Sequence, residues 1–203
     1  MSSAASRASV QFDVADFREF LDTRPPKERW ELIDGVPMMA AAPRVAHQRI
    51  ASNLEFHLRL ALSRNKPEWR VDREIGIEVA DNSRYRPEPE LAVVDRGVDP
   101  DRTSLDVFYL VAEVLSESDK GRVIAAKVRF YQAHPHARWI LIIQQDRIEL
   151  EVQERQPSGN WHRRTLTDPA ETLAFGDVGA VCSLAELYAD TNLDPARKRS
   201  ASG

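Results

Sequence analysis

Val107-Phe-Tyr-Leu-Val-Ala-Glu-Val-Leu115 sets one carboxylate, Glu113, inside an otherwise apolar run. The run predicts a central strand covered on both faces. A carboxylate is almost never fully buried without a partner, because an unpaired charge in apolar surroundings neutralises itself or costs several kcal/mol. The next segment reads as a helix from about Lys120 to His134, with caps offered by Ser116 to Asp119 and a stop at Pro135. Arg138-Trp-Ile-Leu-Ile-Ile143 is another buried run, so the three pieces form a strand–helix–strand crossover. At about 100° per residue, Val123, Lys127 and Phe130 share one side of the helix, beside Ile124, Val128 and Tyr131. Lys127 therefore lies in the stripe that packs back over the sheet carrying Glu113.

Upstream, Pro87-Glu-Pro89 makes an extended entry to Glu90-Leu-Ala-Val-Val-Asp95, a short buried strand with an acid at its start. Trp69 to Val79 alternates as a strand, and Val45 to Ser63 carries apolar residues at helical spacing. Trp30 to Ile33 and Val36 to Met39 flank Asp34-Gly35, which suits a type I′ hairpin turn. Asp13 to Asp22 predicts a short helix. Downstream, Ile148 to Val152 reads as an edge strand, Trp161 to Leu166 as a further strand, and Leu184 to Tyr188 as a terminal helical turn. This mixed order favours one α/β (α+β) domain over residues 13–189, built on a mixed β-sheet flanked by helices. Residues 1–12 are expected to be a loose leader and residues 190–203 a disordered tail.

A chain of 203 residues holds one domain with a substantial core. Its formal net charge of −4 gives no overall basic field, so a nucleic-acid partner would have to be met by a local basic groove. A lone cysteine, Cys182, excludes an internal disulfide and a cysteine zinc cluster. No apolar run approaches the roughly 18 residues of a membrane span. The start Met1-Ser-Ser-Ala-Ala-Ser-Arg7 lacks a signal-peptide core, so a cytoplasmic protein is expected. A glycine-rich phosphate loop and a Gly-x-Ser-x-Gly elbow are both missing.

By fold logic two cationic partners lie within reach of Glu113: Lys127, or a metal ion shared with Glu90. Two carboxylates and a lysine around one point can hydrolyse a phosphodiester with a divalent metal. Plainer readings stand beside this one. Lys127 as a snorkelling surface lysine, Glu90 as an exposed residue at a strand start, and Glu113 as half of a structural ion pair fit the same residues. Glu31 alternates with Trp30 and Leu32 and reads by default as exposed, and His47 as a capping or surface histidine.

Glu31-Leu-Ile-Asp-Gly35, Pro43 to His47-Gln48, Arg86-Pro-Glu-Pro-Glu-Leu-Ala-Val-Val-Asp95, Glu113-Val-Leu-Ser116, Lys127, Tyr131 and Trp139, in this order, resemble the Uma-two family. That family belongs to the PD-(D/E)XK nuclease superfamily of restriction-endonuclease-like proteins. The resemblance covers roughly Trp30 to Ile143. It implies a mixed sheet flanked by helices, a metal-binding acid at Glu90, a second acid at Glu113, and a lysine drawn from the following helix, Lys127. Glu31 stands where a further site glutamate is often found. Mg²⁺ or Mn²⁺ is the implied cofactor, held by Glu90, Glu113 and a backbone carbonyl near Val114. DNA is the implied substrate, with phosphate contacts from Arg44, Arg49, Arg84 and Arg86, and a homodimer is expected because such pairs cut both strands. The family pattern has Asp where Glu90 stands and commonly an acid where Val123 stands. The alternative is therefore a catalytically silent nuclease-fold protein that binds nucleic acid or another protein.

Overall fold

Residues 11–116 and 121–200 are described by the structure, a computed structural model. In chain order its elements are α1 (Val14–Asp22), β1 (Trp30–Ile33), β2 (Val36–Met39), α2 (Val45–Asn65), β3 (Trp69–Arg73), β4 (Gly76–Ile77), β5 (Leu91–Asp95) and β6 (Ser104–Leu105). These are followed by β7 (Leu110–Leu115), α3 (Gly121–Ala133), β8 (Trp139–Gln144), β9 (Leu150–Arg155), β10 (Trp161–Leu166), β11 (Thr172–Phe175), β12 (Gly179–Ser183), α4 (Leu184–Leu187) and α5 (Pro195–Ser200). Of the caps expected over Ser116 to Asp119, those from Glu117 onward lie outside the described residues.

Six strands form the main sheet in the order β10-β9-β8-β7-β5-β3. β7 and β8 run parallel, as the intervening α3 requires, and every other neighbouring pair is antiparallel. The expected mixed sheet flanked by helices is thus the observed fold. Alternation along the strands sends Leu91, Val93, Leu110, Ala112 and Val114 to one face. That face is covered by Ile50, Leu54, Leu58 and Leu62 of α2 and by Leu173, Phe175 and Cys182 of the β11–β12 hairpin. Ala92, Val94, Val111, Ile140 and Ile142 face the other way, against Phe130 and Tyr131 of α3. Full burial of each such side chain stabilises by about 1.5–3 kcal/mol. Glu113 is placed on the α3 face by its parity with Val111.

The hairpin turn follows its sequence signal, with Asp34 and Gly35 both at positive φ (52° and 75°) as a type I′ turn demands. Two local expectations are corrected. Trp69 to Val79 is two strands, broken at Glu74, whose φ of 49° takes the chain out of the sheet. The segment then passes beside Arg86, where any Cβ on Gly76 would run into the guanidinium, and pairs in parallel with β6. Next, β9 is not an edge strand, because β10 pairs outside it and places His162 and Arg163 on the exposed rim. The β11–β12 hairpin had no clear alternation to announce it, and a bulge at Leu173/Ala174 interrupts its register. α5 lies past Asp190, within the stretch that charge and Ala/Ser content read as a loose tail. Thr191 is 1% exposed and bonds the Tyr188 carbonyl, and Asn53 on α2 ties down the carbonyls of Leu187 and Ala189.

Candidate active site

At the start of β5 the antiparallel register pairs Leu91 with Ala112. Extending it by one residue sets Glu90 opposite Glu113, on the α3 face of the sheet. Glu90 lies just before the strand, and its Oε2 accepts the Val114 N–H at 3.1 Å. Its Oε1 is 3.1 Å from Nε2 of His47, in the first turn of α2. Glu113 points into the layer between sheet and α3 and is 3% exposed. Lys127 Nζ lies 2.7 Å and 2.8 Å from its two oxygens, and the Tyr131 hydroxyl donates to Oε1 at 2.6 Å. Lys127 and Tyr131 are one helical turn apart, so α3 delivers both donors from one face.

Glu31 arrives from the β1–β2 hairpin, outside the main sheet. Its Oε1 accepts from Lys127 Nζ at 2.8 Å and from the Glu88 N–H at 2.6 Å. The hairpin is held there by the Leu32–Arg86 bridge. Arg86 is itself buried, bonded to Glu78 at 3.0 Å, to Glu88 at 2.5 Å and to the Thr103 carbonyl at 3.2 Å. All four side chains named from the sequence, Glu31, Glu90, Glu113 and Lys127, therefore meet along one cleft of about 660 Å³, with Val114 in its wall. The snorkelling and exposed-strand-start readings fall, since Lys127 is 4% exposed and Glu90 mostly covered.

Three carboxylates around one ammonium dominate the electrostatics. Burial pushes the Glu113 carboxyl up to about 8; Lys127 opposes the rise, and Glu90 and Glu31 add to it. Burial disfavours the Lys127 charge, but Glu113, Glu31 and Glu90 together outweigh it and hold the ammonium above the ordinary lysine range. Burial and the neighbouring carboxylates keep the Tyr131 phenol protonated, a donor rather than an anion. Burial tends to raise Glu90, but the His47 hydrogen bond and the Lys127 charge bring it below the usual carboxylate range.

The phosphate-contact residues expected from sequence divide. Arg44 lines the cleft, as does Arg29. Arg49 is bonded to the Asp190 carbonyl, Arg84 to Asp34, and Arg86 to the buried acids. Among the described residues, no three His, Cys, Asp or Glu side chains converge as metal ligands. The donor chemistry nonetheless suits a hard divalent cation: two register-paired carboxylates and neutral oxygens nearby. His47, read from sequence as a capping or surface residue, Tyr131, read only as part of the helical stripe and the family string, and Gln145 were given no place in the site. Tyr131 could have been found by its i+4 spacing from Lys127. His47 and Gln145 had no local signal, because tertiary contacts alone bring them to the acids.

Comparison with known proteins gives the family and the fold. The model of the Uma2 family, described as "Putative restriction endonuclease", matches residues 14–182. No curated protein matches the chain. Among solved structures, the chain resembles a "putative nuclease belonging to DUF820" from Anabaena variabilis ATCC 29413, with a TM-score of 0.70 and 14% identity over 87% of this chain and 97% of that one. At that identity the likeness concerns the fold.

Proposed function

The chain belongs to the Uma2 family, and from that premise we propose that it is a metal-dependent endonuclease hydrolysing phosphodiester bonds of DNA. The observation that supports the proposal is Glu90, one register step before β5, set opposite Glu113 of β7, with Lys127 clamped between Glu113 and Glu31 in the wall of a cleft. Glu90, Glu113 and the backbone near Val114 would hold Mg²⁺ or Mn²⁺, which when bound lowers the pKa of water and offsets phosphate charge.

The protein's own groups have separable tasks. His47 and the Val114 N–H orient Glu90, and Tyr131 fixes one oxygen of Glu113. Lys127, kept charged by its carboxylates, orients the attacking water and stabilises the negative charge that grows on phosphorus-bound oxygens. Glu31 keeps the ammonium from collapsing wholly onto Glu113. Arg44, and Arg29 despite its ion pair with Glu74, line the cleft and would contact the phosphate backbone. A homodimer would present two such clefts to the two strands.

One observation favours the second reading, a silent nuclease-fold binding module. Both Glu113 oxygens are engaged by Lys127, and one also by Tyr131. Incubation of supercoiled plasmid with the protein and Mg²⁺ or Mn²⁺ separates the two. Nicking that needs the metal and disappears in Lys127→Met supports the enzyme; metal binding without nicking establishes the silent module.

A further inference from the structure

Gln145 follows β8 and is 5% exposed, yet it lines the same cleft as the acids. Its backbone is fixed: the N–H donates to the Leu115 carbonyl at 3.1 Å, one step beyond the Leu115–Gln144 register pair. Its side-chain Oε1 is buried and has no hydrogen-bond partner among the described residues. Arg155 Nε shares that condition but stands apart from the cleft, on a guanidinium already bonded to the carbonyls of Gln132 and His134.

A buried carbonyl without a donor costs free energy comparable to a lost hydrogen bond, and an apolar side chain of the same length would avoid that cost. Keeping an amide at this position makes sense when something in the cleft supplies its partner. Oxygen-loving divalent cations take six or more oxygen ligands, among them the neutral carbonyls of Asn and Gln. Two carboxylates and a backbone carbonyl supply too few protein ligands on their own, and among the described residues no group of three or more His, Cys, Asp or Glu side chains is arranged to hold a metal ion. We propose that Gln145 Oε1 is a further protein oxygen of the cation site, beside Glu90, Glu113 and the backbone near Val114, ligating the ion directly. The assignment rests on the metal-dependent reading above.

The test uses the full chain and Mn²⁺ alone. Calorimetric titration is run on the parent, Gln145→Met and Gln145→Glu, beside thermal melts of each without metal. If the amide is held for the cation, Gln145→Met melts at or above the parent temperature while binding Mn²⁺ at least tenfold more weakly. Gln145→Glu, which keeps an oxygen at the same reach, binds at least as tightly as the parent. The proposal is overturned if Gln145→Met binds Mn²⁺ as the parent does. It is equally overturned if Gln145→Met loses thermal stability together with affinity, the mark of a merely structural amide, or if Gln145→Glu binds no better than Gln145→Met. A parent that binds no Mn²⁺ overturns the metal-dependent reading itself, and this assignment with it.

Discussion

Replacing Lys127 by Met removes the one ammonium among three carboxylates and keeps most of the side-chain volume. Breaking a buried ion pair costs about 3–5 kcal/mol when the remaining charge has no other relief. Glu113 has relief at neutral pH, because its carboxyl is already pushed up to about 8 and rises further once Lys127 no longer opposes the shift. At pH 7 the variant's Glu113 stays protonated, so what is lost is chiefly the charge-assisted hydrogen bonding to Glu31 and Glu113, about 2–3 kcal/mol. The sign of the pH dependence follows from proton counts. From about pH 5 to 8 the folded parent and the folded variant each hold the Glu113 proton and the unfolded chains do not, so the difference between them stays level. Above 8 the folded parent has released its proton and the variant has not. The variant then loses stability with rising pH and the parent does not, widening the gap by up to about 1.4 kcal/mol per pH unit. Urea unfolding of both proteins at half-unit steps from pH 6 to 9.5 measures it. A gap that does not grow above pH 8 would refute the assignment of the raised carboxyl to Glu113.

The same reasoning applied to the parent alone predicts stability that falls as pH rises from about 5 to 8, because only the folded state keeps the Glu113 proton there; Glu113→Gln should flatten this dependence in urea titrations and abolish nicking. Mn²⁺ binding at pH 7 should displace that proton, so the calorimetric heat should vary with the ionisation enthalpy of the buffer, and a buffer-independent heat would count against Glu113 as a ligand. Glu90→Gln should weaken Mn²⁺ binding tenfold or more, about 1.4 kcal/mol, whereas Glu90→Asp should retain it; equal affinity for parent and Glu90→Gln would remove Glu90 from the site. Gly76→Ala should destabilise by about 3 kcal/mol, because its Cβ displaces the Arg86 guanidinium from Glu78 and Glu88 and leaves buried charges unpaired; a melting temperature within a degree of the parent would show that Arg86 has another place to go.

The most legible parts of the chain were those in which one residue broke a local pattern. Glu113 interrupts an apolar strand and Lys127 an apolar helical stripe, and each pointed at the other from sequence alone. The Asp34-Gly35 turn was legible because its backbone demand is local. The split of Trp69 to Val79 was not, since alternation continues through Glu74 and only Arg86, further down the chain, needs the space beside Gly76. His47 and Gln145 stayed hidden for a related reason. A histidine in the first turn of a helix and a glutamine after a strand are ordinary surface choices, and their meaning comes from Glu90 and from Leu115. The local pattern showed the charge that had to be matched but not the residues that complete the match.

The Lys127 clamp joins residues that are far apart along the chain, since the Glu31 contact spans 96 positions and Glu113 and Glu90 belong to different strands. A ribosome delivers Glu31, His47, Glu90 and Glu113 well before Lys127, and Gln145 last of all. Glu90 and Glu113 are brought together by the pairing of β5 with β7, but Lys127 reaches Glu113 and Glu31 only when α3 closes on the sheet, and long-range closure of this kind is slow compared with helix or hairpin formation. The proposed chemistry therefore cannot assemble before Lys127 has been made and α3 has packed on the sheet. For a DNA-cutting activity of the kind proposed, that delay is a safeguard written into chain order.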